Sequence, residues 1–125
     1  LVGSEMCIRD RVSRYAVLGV GTVVMAGAVV NIDAVVGQAG IVNTGATVDH
    51  DCQLADGVHI CPGAHLSGNV HVGLCATIGV GAAVKQGLKI GPRALVGAGA
   101  VVIHAVADAA VVAGNPARPL PRPRA

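Results

Sequence analysis

The segment NTGATVDHDC, residues 43–52, concentrates the groups of this chain best suited to proton chemistry: His50 with Asp49 and Asp51 on either side, and Asn43 a little upstream. A carboxylate held against an imidazole fixes its tautomer and raises its basicity, which leaves the other ring nitrogen to take a proton from a nucleophile. The same triplet is also what a surface histidine between solvated carboxylates looks like, and sequence alone leaves both readings standing. Asp33 precedes Asp51 by 18 positions, and His59, His65 and His71 recur at intervals of six. Which of these side chains can meet depends on the elements that carry them.

Those elements are short and regular. Stepping by six from Leu18 through Val24, Val30 and onward to Ile90, Val96 and Val102 meets an aliphatic residue at all fifteen positions. Four residues further on, the side chain is small at Ala28, Ala34, Ala46, Ala64, Ala76, Ala82, Ala94 and Ala100. A large-then-small inward pattern at period six fits a three-sided prism with one hexapeptide per face, coils of about 18 residues and a stacking distance of about 4.8 Å. Fifteen hexads make about five coils, so the expected fold is all-β, a parallel β-helix. Its hand does not follow from this arithmetic, because parallel crossovers are ordinarily right-handed.

The same period decides contacts. Residues 18 apart stack, and residues nine apart point to opposite sides of the prism. His59, His65 and His71 are therefore expected at three different corners, unable to share a metal ion, and His65 and His71 read as solvated corner residues. His50 and His59 face opposite sides, whereas Asn43 lies two residues from the position one coil below His59.

Composition excludes several classes. The chain has a single aromatic residue, Tyr15, and 18 glycines, so its apolar mass is Val, Ile, Leu and Ala broken by tight corners rather than a core built on rings. A net charge of +2, with arginines gathered near the C-terminal end, supplies no basic stripe with interleaved aromatics for nucleic acid. No uninterrupted apolar run approaches the ~20 residues of a membrane span. Cys7, Cys52, Cys61 and Cys75 show neither zinc-type spacing nor a secretory leader ahead of them, which reads as reduced thiols in a cytoplasmic protein. Residues 3–11, GSEMCIRDR, share no pattern with the repeats and look like translated adapter read-through. The expected organisation is a non-native segment at 1–11, a β-helix at 12–113 and a C-terminal tail at 114–125, with the natural protein beginning further upstream.

From Ile41 to about Arg118, the runs IVNTGATVDHDC, DGVHICPGAHLSGNVHVG, IGVGAAVKQGLKIG and VGAGAVV, closing with GNPAR, resemble the bacterial hexapeptide-repeat family that includes sialic acid O-acetyltransferases and N-acetyltransferases of UDP-4-amino sugars. The resemblance implies a left-handed β-helix, acetyl-coenzyme A as co-substrate, and transfer of an acetyl group to an amine or hydroxyl of a sugar or nucleotide sugar. It implies that His50 is the general base, with Asp51 beside it, and that Asn43 and Asp49 line the acceptor side. His59 would meet the thioester end of the coenzyme, and Val80 and Ala98, one coil apart, would bound its pantetheine groove. Family members commonly carry Glu beside the histidine, where this chain has aspartates. They also typically begin with a small Rossmann-like domain, and none is present here. A homotrimer with sites at its subunit boundaries is implied, and it agrees with the opposite facing of His50 and His59. Two other readings stay open on the sequence: a β-helical metalloenzyme like the γ-class carbonic anhydrases, whose typical five-residue His-to-His spacing is missing here, and a non-catalytic scaffold.

Overall fold

The computed structural model describes residues 11–121. The expected non-native segment lies outside them except for Arg11, which pairs with Val29. Two-residue strands recur every six residues, from Arg11–Val12 to Val101–Val102, and each up to Ala83–Val84 pairs in parallel with the strand 18 residues on. They assemble into three sheets. The first face runs through Thr47–Val48, His65–Leu66 and Ala83–Val84, the second through Gln53–Leu54, His71–Val72 and Lys89–Ile90, and the third through Ile41–Val42, His59–Ile60 and Thr77–Ile78. The solenoid has about six turns, against about five from the hexads alone, because pairing begins before Leu18 and continues beyond Val102.

The pattern follows from where side chains can go. In each strand the second residue is the aliphatic one and points inward: Val24, Val42, Ile60, Ile78 and Val96 are fully buried. The small residue two positions before it is buried too, as Ala28, Ala46, Ala64 and Ala82 show, because the interior narrows toward each corner. Each buried Val, Leu or Ile contributes roughly 1.5–3 kcal/mol of transfer free energy, and since a coil touches only its neighbours, stability accumulates coil by coil.

Each corner is two residues long, and from Gly21 to Gly99 the second residue sits in the left-handed region of φ. Glycine fills many of these positions, such as Gly81 at φ 68°, but Asp33, Asp51 and Asn69 occupy the column between the first and second faces at φ 58–61°. Asp and Asn are the non-glycine residues that tolerate this conformation best. Backbone bonds fasten the column from coil to coil, with Asp51 N–H donating to the Ile32 carbonyl at 3.1 Å and Asn69 N–H to the His50 carbonyl at 2.9 Å.

The last turn is shorter than the rest. Val106 bridges to Ile90 and Val112 pairs with Val96, each sixteen residues apart rather than 18. The next step of the aliphatic row would be Asp108, a poor core residue, and Val106 takes the buried place instead. Residues 114–117 of GNPAR then reverse the chain, so that Arg118–Pro119 lies antiparallel on Val112–Ala113.

Candidate active site

His50 is the first residue of the corner between the first and second faces, between the Thr47–Val48 and Gln53–Leu54 strands. Its Nδ1 lies 3.0 Å from Asp51 Oδ2, so the neutral ring donates its N–H to the carboxylate and keeps the lone pair on Nε2. Aspartate is thus long enough for this contact, from a corner position at left-handed φ. Asp49 Oδ1 accepts the His50 backbone N–H at 2.8 Å and the Asn31 amide at 2.9 Å. The bond from Asn31, then that from the His50 backbone, holds the Asp49 carboxyl below its usual value. His50 is shifted upward from 6.5, first by its hydrogen bond to Asp51 and then by the charges of Asp49 and Asp51. Tautomer and charge both favour Nε2, an exposed and strengthened base at the surface of the prism.

Asn43 and His59 form the other cluster. Thr44 N–H donates to Asn43 Oδ1 at 2.8 Å, which orients the amide so that Asn43 Nδ2 donates to His59 Nε2 at 3.1 Å. That bond leaves the His59 ring proton on Nδ1. His59 heads a strand of the third face, the face opposite the corner that carries His50. Val80 and Ala98 stack at the corner after the third face, tied by Gly99 N–H donating to the Val80 carbonyl at 2.7 Å, and both are exposed. The structure therefore brings Asp49, His50 and Asp51 together, brings Asn43 to His59, and leaves these two half-sites on opposite sides of one chain.

One expectation changes. His59, His65 and His71 lie on the third, first and second faces as outward strand residues, not at corners, because each directly precedes the inward aliphatic residue. They remain apart, and His65 Nδ1 is 2.8 Å from Thr47 Oγ1 one coil below. Asp33 stands beneath Asp51 as a corner residue in left-handed conformation, and it is Asn31, beneath Asp49, that braces the polar cluster. The 18-residue stacking rule points to Asn31 as readily as to Asp33, so that signal was present in the sequence.

Comparison with solved structures places this geometry. The chain is 50% identical to the acetyltransferase domain of PglB from Neisseria gonorrhoeae FA1090, solved in complex with acetyl coenzyme A, over 90% of this chain and 55% of that one, with a TM-score of 0.90. It is 41% identical to PerB from Caulobacter crescentus in complex with CoA and GDP-perosamine, over 96% of this chain and 58% of that one, with a TM-score of 0.93. The β-helix closely resembles those of these two proteins. WeeI from Acinetobacter baumannii AYE matches at 34% identity over 96% of this chain and 58% of that one, with a TM-score of 0.85. No family model and no curated protein matches. The solenoid is accordingly the left-handed parallel β-helix of hexapeptide-repeat transferases. The chain spans little more than half the length of these three proteins.

Sequence reasoning also passed over Gly68. It lies one coil beyond His50 at the same corner, is buried, and has the imidazole lying across it.

Proposed function

We propose that this chain is the coenzyme-binding and catalytic part of an acetyltransferase that moves the acetyl group of acetyl-coenzyme A to an amine, or alternatively a hydroxyl, of a nucleotide-activated sugar. The observation that carries this reading is the His50–Asp51 contact, which leaves Nε2 as an accessible base on a β-helix closely similar to ones solved with coenzyme A and, for PerB, GDP-perosamine. The sugar amine attacks the thioester carbonyl carbon, His50 Nε2 accepts the proton the amine loses, and collapse of the tetrahedral intermediate breaks the C–S bond. The departing thiolate of coenzyme A is then protonated from His50, and the base returns to its starting state.

The two half-sites converge only when His50 of one subunit faces Asn43 and His59 of another, which supports a homotrimer with three sites at its boundaries. In that arrangement His59 meets the thioester end of the coenzyme, Val80 and Ala98 flank its pantetheine, and Asn43 and Asp49 face the acceptor. No helix among the described residues is long and apolar enough to cross a membrane. A cytoplasmic location agrees with the free thiols of Cys52, Cys61 and Cys75.

The direct test is coenzyme binding by this chain alone. Because the groove is built by the repeats, acetyl-coenzyme A at a hundredfold excess over Kd stabilises the folded trimer by about 2.7 kcal/mol, read as a rise in Tm. An unchanged Tm at saturating coenzyme, in protein shown to be folded and trimeric, removes the site and the function with it.

The pH profile tests the base. His50 must be unprotonated to work, so the rate falls as pH drops through a pKa above the ordinary 6.5 of histidine. Asn tolerates the left-handed φ at position 51, so Asp51→Asn keeps the corner, withdraws the main upward influence on His50 and moves the acid limb to lower pH. An acid limb that stays in place in Asp51→Asn contradicts the assignment.

A further inference from the structure

We propose that Gly68 is a positioning residue whose missing side chain is the seat of the His50 imidazole, so that the coil above the base holds Nε2 at its working position. A methyl group built on Gly68 would overlap Nε2 and lie 2.5 Å from Cε1 and 3.1 Å from Cδ2. Real Cβ atoms do not approach a ring so closely, and the ring would have to leave.

The repeat itself does not ask for glycine here. Gly68 is a first corner residue and is absent from the positions of left-handed φ, which from Gly21 to Gly99 are all second corner residues. Among first corner residues, taken every six positions from Arg14 to Ala98, Gly68 alone is glycine. At its own corner the neighbouring coils carry Arg14, Ile32, His50 and Gln86, all with long side chains. Ala26 and Ala98 hold the equivalent place at another corner, so an alanine is compatible with the backbone. Position 68 has the His50 imidazole, one coil before it, where its own Cβ would be. The Asn69 N–H bond to the His50 carbonyl, 2.9 Å, fixes the two corners in register and so fixes ring over glycine.

The consequence is a ring held from two sides. Asp51 holds Nδ1 in the plane of the imidazole and Gly68 receives its face, which restricts rotation about the bonds that would otherwise swing Nε2 away. The charged groups that act on His50 are Asp49 and Asp51, with Asp49 itself held by Asn31. A ring pushed off Gly68 loses its contact with Asp51, and its titration moves back toward the ordinary histidine value. The catalytic part of this inference rests on His50 being the base proposed above. The seat itself does not, and the experiment separates the two.

The test is a cycle of Gly68→Ala, His50→Ala and the double variant in this chain, with Tm for all four proteins and an NMR titration of the His50 Cε1 proton. Gly68→Ala is expected to lower Tm when His50 is present. In the His50→Ala background the same change is expected to leave Tm unchanged or raised, because nothing overlaps the methyl and alanine restricts the unfolded chain. The His50 midpoint, above 6.5 in the parent, is expected to fall toward 6.5 in Gly68→Ala. Should Gly68→Ala fail to fold while the double variant folds, that is the same dependence at full strength. Equal Tm changes in both backgrounds, failure of both to fold, or an unmoved His50 titration overturns the proposal. In an acetyl-transfer assay, kcat in Gly68→Ala is expected to drop about 10²-fold, the cost of a misplaced catalytic group, with KM for acetyl-coenzyme A kept. Should the cycle show the coupling while His50→Ala leaves acetyl transfer intact, the seat stands and the proposed function falls.

Discussion

His50→Ala lowers the rate of acetyl transfer by about 10²–10⁴ with the β-helix intact, the range expected when a positioned general base is removed. The fold survives because the imidazole is more than half exposed and contributes nothing to the interior, which at this level is Val48, Cys52 and Leu54. Its backbone bonds, which register the corner against Asn69 and Asp49, do not depend on the side chain. The measurement is steady-state release of coenzyme A, with circular dichroism to show an unchanged solenoid. A rate within a few-fold of the parent, in folded protein, means that some other group takes the proton.

Mixing subunits gives the second large effect. His50→Ala and His59→Ala chains, each nearly inactive alone, regain activity when unfolded and refolded together. At a boundary where the His59→Ala chain supplies His50 and the His50→Ala chain supplies His59, the site is wild type, and random mixing makes about a quarter of all boundaries of this kind. Activity therefore rises from the residual level of the variants to roughly a quarter of the parent's. The physical ground is the separation of the half-sites: the His50 corner and the Asn43–His59 pair lie on opposite sides of one narrow solenoid, and no side chain spans it. Homotrimers of each variant refolded alongside serve as controls. Activity equal to their mean, with subunit exchange demonstrated, would falsify the shared site.

How much of this molecule could be read before folding differs sharply between the solenoid and its site. Strict periodicity makes the solenoid legible: when every sixth side chain must fill one narrow interior, Leu18 to Val102 can contain no polar exception, and the 18-residue stack follows by arithmetic. The same arithmetic correctly separates His59, His65 and His71, and it brings Asn43 near His59. It failed where the period failed, at the short last turn, although Asp108 in the aliphatic row marked the break.

The site depended on quantities that period six does not contain. Spacing places Asp51 next to His50, but only the fold brings its carboxylate to 3.0 Å from Nδ1, and that contact leaves the ring lone pair on Nε2. Asp33, Asp51 and Asn69 share one column for a conformational reason, and the chemistry of Asp51 is added to it. Gly68 looked like one more glycine among 18 until the fold laid an imidazole across it. Sequence by itself determined the prism and the rows in which its residues stand, because burial repeats along the chain. The tertiary structure alone decided which atoms touch within a row, because that turns on backbone φ and side-chain rotation at single residues.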